Sequence, residues 1–220
     1  MPADTMLFHR PTGLARPPAR EICRNPAVAE ATAEEIIAFW LTEVGPARWY
    51  ATDATLDAAI RDRWLDLWEG ARCGESEHWL ASPRGALGYI LLTDQFPRNM
   101  FRADRRAYAT DGHALAAAIK MIWRRWDLRV EEPLRQFFYL PLMHSESQPD
   151  QDRCVRMMIT RMPETGQDNL LHARVHREII RRFGRFPHRN AALGRETTRP
   201  EAAFLEEGGY ASVLRALQAA

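Results

Sequence analysis

Two short segments of this chain combine cations, amides and a Phe-Pro step in the same order. They are residues 94–99, with the sequence DQFPRN, and residues 184–190, with the sequence GRFPHRN. Proline disfavours the α conformation in the residue before it, so each segment predicts a helix end followed by a fixed corner. Guanidinium and amide donors in such a corner suit phosphate or carboxylate ligands. The candidate donors are Arg98, Asn99, Arg102, Arg185, His188, Arg189 and Asn190.

These cations have two interpretations. Arginines near helix ends commonly pair with acidic side chains or with the last carbonyls, which would make the segments no more than helix ends. If the two segments meet in space, however, their cations exceed what Asp94 alone can neutralise, and an anionic ligand is favoured. The sequence does not decide between these alternatives.

Asp94 lies on an apolar helix face. Helical spacing places it between Leu87, Ile90 and Leu91, and the predicted helix stop places it at a C-terminus, where the helix dipole disfavours negative charge. A buried carboxylate is costly there unless a cation or several donors meet it. Asp94 is therefore either one half of a structural ion pair or a functional carboxylate that orients an arginine or acts as a base.

Two histidines also point inward. His172 and His176 are four residues apart on a predicted helix over 168–183, on the same arc as Val175 and Ile179. Such spacing can bind a metal, but the glutamate of a His-Glu-x-x-His motif is absent and no third ligand is obvious nearby. We therefore predict no metal, and the histidines either pack in the core or line a pocket.

A third candidate group follows an aromatic stretch over 137–143. His144 borders that stretch and can reach the same interior space, and Glu146 lies two residues later. Together with Ser145 they form only a weak Ser-His-Glu set, because catalytic triads are usually assembled from distant positions. The sequence therefore identifies no catalytic residue, and whether the protein is an enzyme stays open.

The elements that must position these residues are helices. Thr32 with Glu35 forms a capping-box pair, Ser82-Pro83 opens another helix, and helix patterns recur along the chain without sustained strand-like alternation. We predict an all-α fold, a tetratricopeptide-like stack or bundle of about eight helices joined by short loops. Residues 1–30 are predicted to be a flexible leader and residues 31–220 a single domain.

Composition restricts the chemistry. Of the thirty basic residues only Lys120 is a lysine, so a Gly-Lys-Ser/Thr phosphate loop is absent and Schiff-base chemistry has one candidate. A net charge of +1 makes nucleic acid an improbable partner, and no apolar run is long enough for a membrane span. Cys23, Cys73 and Cys154 are isolated, which argues for a reducing, cytoplasmic setting and against a disulfide frame. No cofactor signature is present.

These motifs, taken together and in order, resemble the bacterial family known as domain of unknown function 924. The resemblance rests on residues 94–99 with Arg102, on 137–146, on 176–177 through 184–190, and on 193–195 with the helix over 201–205. It covers about residues 33–205. It implies a tetratricopeptide-like all-helical fold and supplies neither an activity nor catalytic residues.

The sequence is therefore consistent with two functions. The first is a pocket that binds a small anionic molecule through its Arg, His and Asn side chains, with a histidine available for general acid/base chemistry. The second is a tetratricopeptide-like module that holds an acidic or C-terminal peptide segment. The inward placement of Asp94, His172 and His176 favours the pocket, and the oligomeric state is not predicted.

Overall fold

The computed structural model describes residues 33–219, and the predicted all-α class is confirmed within that range. The leader over 1–30 and the predicted cap at Thr32 lie outside the described residues. Over residues 33–219 the eleven α-helices form ten separate runs, because two of them are joined end to end, where about eight helices were predicted. The α-helices are α1 (Ala33–Ala38), α2 (Ala54–Arg72), α3 (Pro83–Ile90), α4 (Phe96–Met100), α5 (Asp111–Trp123), α6 (Leu140–His144), α7 (Gln148–Arg161), α8 (Gln167–Phe183), α9 (Asn190–Leu193), α10 (Arg199–Glu206) and α11 (Gly209–Gln218).

Short non-α helical segments complete these runs. A π-helical segment, Phe39–Val44, continues α1, and a second, Leu91–Gln95, joins α3 to α4 without a break. The connections contain the 3-10 turns Pro46–Arg48, Glu77–Ala81, Arg105–Tyr108, Asp127–Arg129, Leu134–Phe138 and Pro187–Arg189.

Local capping explains where the long helices begin and end. The Asp53 side chain accepts from the N–H groups of Thr55 and Leu56 at the start of α2. Ser82 does the same for Gly85 at the start of α3, with Pro83 at the first helical position, as the sequence predicts. Gly184 ends α8 in the left-handed conformation, with φ of 66°.

The predicted helix stop at Phe96-Pro97 is wrong. The helical run continues through both residues to Met100, so Asp94 lies inside a helix and not at its C-terminus. The second Phe-Pro step does not end its helix either, because Gly184 has already done so and Pro187 begins a 3-10 turn. The first Phe-Pro step therefore lies inside a helix and the second begins a 3-10 turn, and neither marks the end of a helix.

A distant hydroxyl allows the run to continue through Pro97. Proline has no N–H for the carbonyl four residues earlier, which is that of Thr93. The Thr110 hydroxyl donates to this Thr93 carbonyl at 2.6 Å, and it accepts from the Trp68 indole at 3.0 Å. Thr93 and Thr110 are fully buried, so this polar chain satisfies the carbonyl that proline leaves free.

In the described part of the chain, the buried apolar side chains form two clusters. The larger extends from Ile36 to Ala173 and contains most of the buried aromatic residues. The smaller joins the second half of α8 to α10 and α11 through Val175, Ile179, Phe186, Phe204 and Val213. The boundary between the clusters falls on α8, between its two inward histidines.

Two expectations from composition have different outcomes. Over residues 33–219, none of the helices has the length and apolarity that a membrane span requires. The expectation that the cysteines are unpaired is wrong for Cys73, which is disulfide-bonded, whereas Cys154 is free and buried. Cysteine usage alone therefore gives weaker support to a reducing compartment than the sequence indicated.

Candidate functional site

A cavity of about 300 Å³ opens beside the boundary between the two clusters. We call it the histidine cavity, because His144, His172 and His176 all line it. Its wall also contains Trp49, Tyr50, Ala51, Gln95, Arg98, Asn99, Arg102, Leu140, Met143 and Asn169. Six of the residues selected from the sequence are thus brought to one surface by α4, α6 and α8.

Asp94 does not line the cavity but contacts residues that do. It is fully buried, as the sequence predicts. Its carboxylate oxygens lie 2.9 and 3.0 Å from His144 Nδ1. A carboxylate only accepts hydrogen bonds, so Nδ1 carries the proton and donates it to Asp94. Gln95 and Arg98 also donate to the carboxylate, at 2.6 and 3.2 Å.

This assignment leaves the second ring nitrogen of His144 available. Arg98 Nε lies 3.3 Å from His144 Nδ1, but because Nδ1 already carries a proton this is a contact between two N–H groups. Within residues 33–219, His144 Nε2 has no hydrogen-bond partner. In the neutral ring Nε2 is a base and an acceptor at the cavity wall.

The electrostatics keep this pair ionised at Asp94 and neutral at His144. Burial raises the pKa of Asp94, but His144, Arg98 and the hydrogen bonds from His144 and Gln95 lower it more, so the net shift is downward. Burial and the Arg98 cation lower the pKa of His144 and outweigh the opposing effect of Asp94. The histidine is therefore an unprotonated base at neutral pH.

His176 has the same proton arrangement on the next helix. Its Nδ1 donates to the His172 carbonyl at 2.8 Å, which leaves its Nε2 as an acceptor. The His144 and His176 ring centroids are 6.3 Å apart. Burial lowers the pKa of His176 to about 3. His172 Nδ1 in turn contacts the hydroxyl of Tyr210 on α11.

Arg102 and Asn99 supply further donors at the cavity wall. Both bond to Asp57 of α2: Arg102 through Nε and Nη2, the latter at 2.9 Å, and Asn99 through Nδ2, also at 2.9 Å. Arg102 Nη2 also donates to the Ala51 carbonyl. Among the described residues Arg102 Nη1 has no partner, so it is the free donor of this cation.

The two Phe-Pro segments do meet, through a residue that the sequence analysis missed. Arg98 Nη2 and Arg189 Nη1 lie 3.0 and 3.4 Å from the two carboxylate oxygens of Asp111. Both guanidinium groups also lie over the Tyr108 ring, at 5.8 and 4.7 Å from its centroid. Burial raises the pKa of Asp111 and outweighs the effect of Arg98.

A second cavity of about 300 Å³ lies on the Asp111 side of His144. We call it the Asp111 cavity. Glu146, Arg189 and Arg195 line it with Asp111 and His144. Glu146 pairs with Arg195 at 2.9 Å and accepts from the backbone N–H of Phe186. His144 is therefore shared by both cavities.

Besides Asp94, which lies behind the wall, three of the predicted site residues line neither cavity. Arg185 is engaged by Glu201 at 2.6 and 2.8 Å, and Asn190 Nδ2 also lies 3.3 Å from Glu201. His188 is exposed. For these residues the helix-end interpretation fits better than the ligand interpretation.

Asp94 is not the only carboxylate that meets the cations of the two segments. Asp57, Asp111, Glu146 and Glu201 each pair with an arginine of this region, so Asp94 does not act alone. The carboxylates are placed asymmetrically, however. Two arginines line the histidine cavity and, within residues 33–219, no carboxylate does, whereas Asp111 and Glu146 line the Asp111 cavity.

This arrangement restricts what each cavity can bind. The histidine cavity presents guanidinium and amide groups and two imidazole nitrogens, so it suits a small anion and proton transfer. Over residues 33–219, no three His, Cys, Asp or Glu side chains come together in a way that could hold a metal ion.

Sequence reasoning missed several wall residues besides Asp111 and Tyr108. Gln95 directly follows Asp94 and holds its carboxylate, and Asn169 lies one turn before His172 on the same helix. Tyr50 is joined to Asn169 through Gln136, whose side-chain oxygen accepts from both. Helical spacing could have identified Asn169, whereas the loop residue Tyr50 carries no periodic signal.

Comparisons with known proteins give a family and one solved relative. The profile of the family described as bacterial protein of unknown function (DUF924) matches residues 36–209. The solved structure of a protein of unknown function from Agrobacterium tumefaciens is 43% identical, with a TM-score of 0.73, covering 80% of this chain and 97% of that one. No curated protein matches significantly. On the family match and this identity, the chain belongs to the DUF924 family of bacterial proteins of unknown function.

Proposed function

We propose that the protein binds a small anionic molecule in the histidine cavity and that His144 acts there as a general base. The observation that carries the proposal is the buried Asp94 carboxylate, which fixes the proton of His144 on Nδ1 at 2.9 Å. A neutral imidazole held in one tautomer by a carboxylate is an arrangement that proton transfer uses. In this role His144 is the catalytic residue and Asp94 is a positioning residue.

We expect the ligand to be an anion because the lining of the histidine cavity contains arginine and amide side chains. A phosphate or carboxylate group can accept hydrogen bonds from Arg102 and from the side-chain amides of the lining, such as Asn99. It would not be repelled by a carboxylate of the lining. The cavity volume of about 300 Å³ lies at the lower end of the range for small-molecule sites, about 300–1,000 Å³. The ligand is therefore expected to be small.

A matched pair of variants tests the anion preference. Arg102→Ala and Asp57→Asn break the same ion pair, but only the first removes the cation from the cavity. In a thermal-shift screen of phosphorylated and carboxylated metabolites, we expect stabilisation of the wild type and of Asp57→Asn, and loss of it in Arg102→Ala. Equal stabilisation of both variants would show that Arg102 does not contact the ligand.

The control variant is Arg84→Ala. Arg84 forms an exposed bidentate pair with Glu34, both contacts at 2.6 Å, outside both cavities. We expect this variant to respond to the same anions as the wild type, because exposed ion pairs contribute little to stability. A loss of ligand response in Arg84→Ala would mean that the screen reports general charge and not the cavity.

The alternative is a tetratricopeptide-like module that binds acidic or C-terminal peptide segments. It is favoured by the packing of the two consecutive helices α7 and α8 against each other across a short loop, which is typical of helical-hairpin repeats. The module, the stack architecture and a cytoplasmic location stay predictions. Binding of acidic C-terminal peptides that survives Arg102→Ala would favour the alternative.

A further inference from the structure

A third cavity lies on the surface formed by α5, α7 and the turn that follows α5. Its volume is about 460 Å³. Four arginines line it, and among the described residues no carboxylate does. The lining consists of Ile122, Trp123, Arg125, Pro149, Arg153, Arg156, Met157 and Arg161. We call it the arginine cavity.

Helical spacing concentrates the cations on one side of α7. Arg153 and Arg156 follow Pro149 by four and seven residues, which places all three on the same face. Arg161 lies farther along this helix and pairs with the buried Asp127 at 2.6 Å. Within residues 33–219, the side chains of Arg153 and Arg156 have no ion-pair or hydrogen-bond partner. Their charge is therefore available to a ligand.

Arg125 is held in the cavity wall by an unfavourable backbone. It ends α5 in the left-handed conformation, with φ of 57°. The N–H groups of Trp126 and Arg125 bond to the Met121 and Ile122 carbonyls at 3.0 and 3.2 Å, which is the Schellman pattern. Glycine suits this position best, so an arginine in this conformation carries a local backbone cost.

Trp123 adds an open aromatic surface beside these cations. Its side chain is 78% exposed, and in the described part of the chain no ring or guanidinium group stacks on it. A large exposed aromatic residue next to unpaired arginines is the combination that binds phosphorylated aromatic molecules, through stacking and charge-assisted hydrogen bonds.

We propose that the arginine cavity binds a nucleotide, with its base on Trp123 and its phosphates on Arg125, Arg153 and Arg156. The volume of about 460 Å³ fits a small-molecule site. A nucleic-acid strand would need a longer basic surface, and the net charge of +1 does not favour one. This site is separate from the histidine cavity and does not depend on the function proposed for it.

Isothermal titration with ADP, adenosine and inorganic pyrophosphate tests the proposal. We expect ADP to bind, pyrophosphate to bind about tenfold more weakly because it cannot stack, and adenosine to give no measurable binding. Trp123→Ala should reduce ADP affinity to that of pyrophosphate, and Arg153→Ala should reduce it by about tenfold. Absence of ADP binding, or unchanged affinity in either variant, would overturn the proposal.

Arg125→Gly separates binding from folding. We expect it to raise the midpoint of thermal unfolding, because glycine tolerates the left-handed turn, and to weaken ADP binding by about tenfold. Arg129→Ala, an equal charge change at an exposed position outside the cavity, and Arg102→Ala should both leave ADP affinity unchanged. A loss in Arg129→Ala equal to that in Arg153→Ala would overturn the proposal. Binding of single-stranded RNA or phosphatidylserine vesicles without binding of ADP would do the same.

Discussion

Each of two histidines at the cavity wall carries its proton on Nδ1, because that nitrogen faces an oxygen that can only accept. The oxygen is the Asp94 carboxylate for His144 and the His172 carbonyl for His176. Both rings therefore present an unprotonated Nε2, and their centroids are 6.3 Å apart. Two acceptors so placed can share the protons of a single small ligand.

An arginine of the cavity wall can bind a ligand only through the N–H groups that are not already bonded to other residues of the protein. Both terminal nitrogens of Arg98 are engaged, by Asp94, Asp111 and the Ala107 carbonyl. Arg102 keeps Nη1 free within the described chain although its other nitrogens bond to Asp57. Arg98 therefore has a structural role, because it connects Asp94 to Asp111. Arg102 is the arginine that we expect to contact the ligand.

At the scale of the element, the run α3–α4 positions Asp94, Arg98 and Asn99, and it depends on Thr110. The Thr110 hydroxyl satisfies the Thr93 carbonyl, which lies 17 residues away in sequence, and it also accepts from Trp68. Without this hydroxyl, a buried carbonyl and a buried indole N–H lose their partners. An unsatisfied buried polar group costs about 1–3 kcal/mol.

We therefore expect Thr110→Val to lower the free energy of unfolding by about 2–5 kcal/mol, measured by urea denaturation. The matched control is Thr160→Val, because Thr160 bonds to the Arg156 carbonyl at an exposed position. That change should stay within about 0.5 kcal/mol. Equal losses in the two variants would show that the buried polar chain does not hold the run.

At the scale of the whole molecule, we expect stability to depend on pH through the partly buried His176. Burial lowers the pKa of His176 to about 3, whereas an unperturbed histidine titrates near 6.5. Between these two values the unfolded chain binds a proton that the folded chain does not, so acid favours unfolding. The stabilisation is fully present above about pH 6.5 and is lost as the pH falls toward 3.

We expect this histidine to contribute a loss of about 1.4 kcal/mol of unfolding free energy per pH unit below about pH 6.5. In urea denaturation at several pH values, His176→Gln should remove that contribution to the slope. His78→Gln, at an exposed position outside both cavities, is the control. An unchanged slope in His176→Gln would contradict the burial that we assign to His176.

The sequence predicts those parts of the fold and site that depend on local periodicity. The helix bearing His172 and His176 was predicted over 168–183 and lies over 167–183, because its apolar stripe and Gly184 both act locally. Asp94 was placed inward by the same spacing. His144 was placed near the interior because it follows a buried aromatic stretch.

Contacts between distant residues could not be predicted in this way. The helix stop at Phe96-Pro97 was wrong because Thr110, far along the chain, supplies what Pro97 lacks. Arg185 was a ligand candidate with a helix-end alternative, and the sequence did not decide because its partner Glu201 lies 16 residues later. Asp111, which joins the two segments, reads as an ordinary acidic residue in the first turn of a helix.

The central claim, a neutral His144 base fixed by Asp94 in an anion-binding cavity, is tested most directly by ¹⁵N NMR of the histidine side chains. At pH 7 we predict the Nδ1–H tautomer for His144, and a chemical-shift change at its Nε2 when the best anion from the screen is added. The change should persist in Asp57→Asn and disappear in Arg102→Ala. A protonated His144, the Nε2–H tautomer, or no response of Nε2 to a bound anion would contradict the claim.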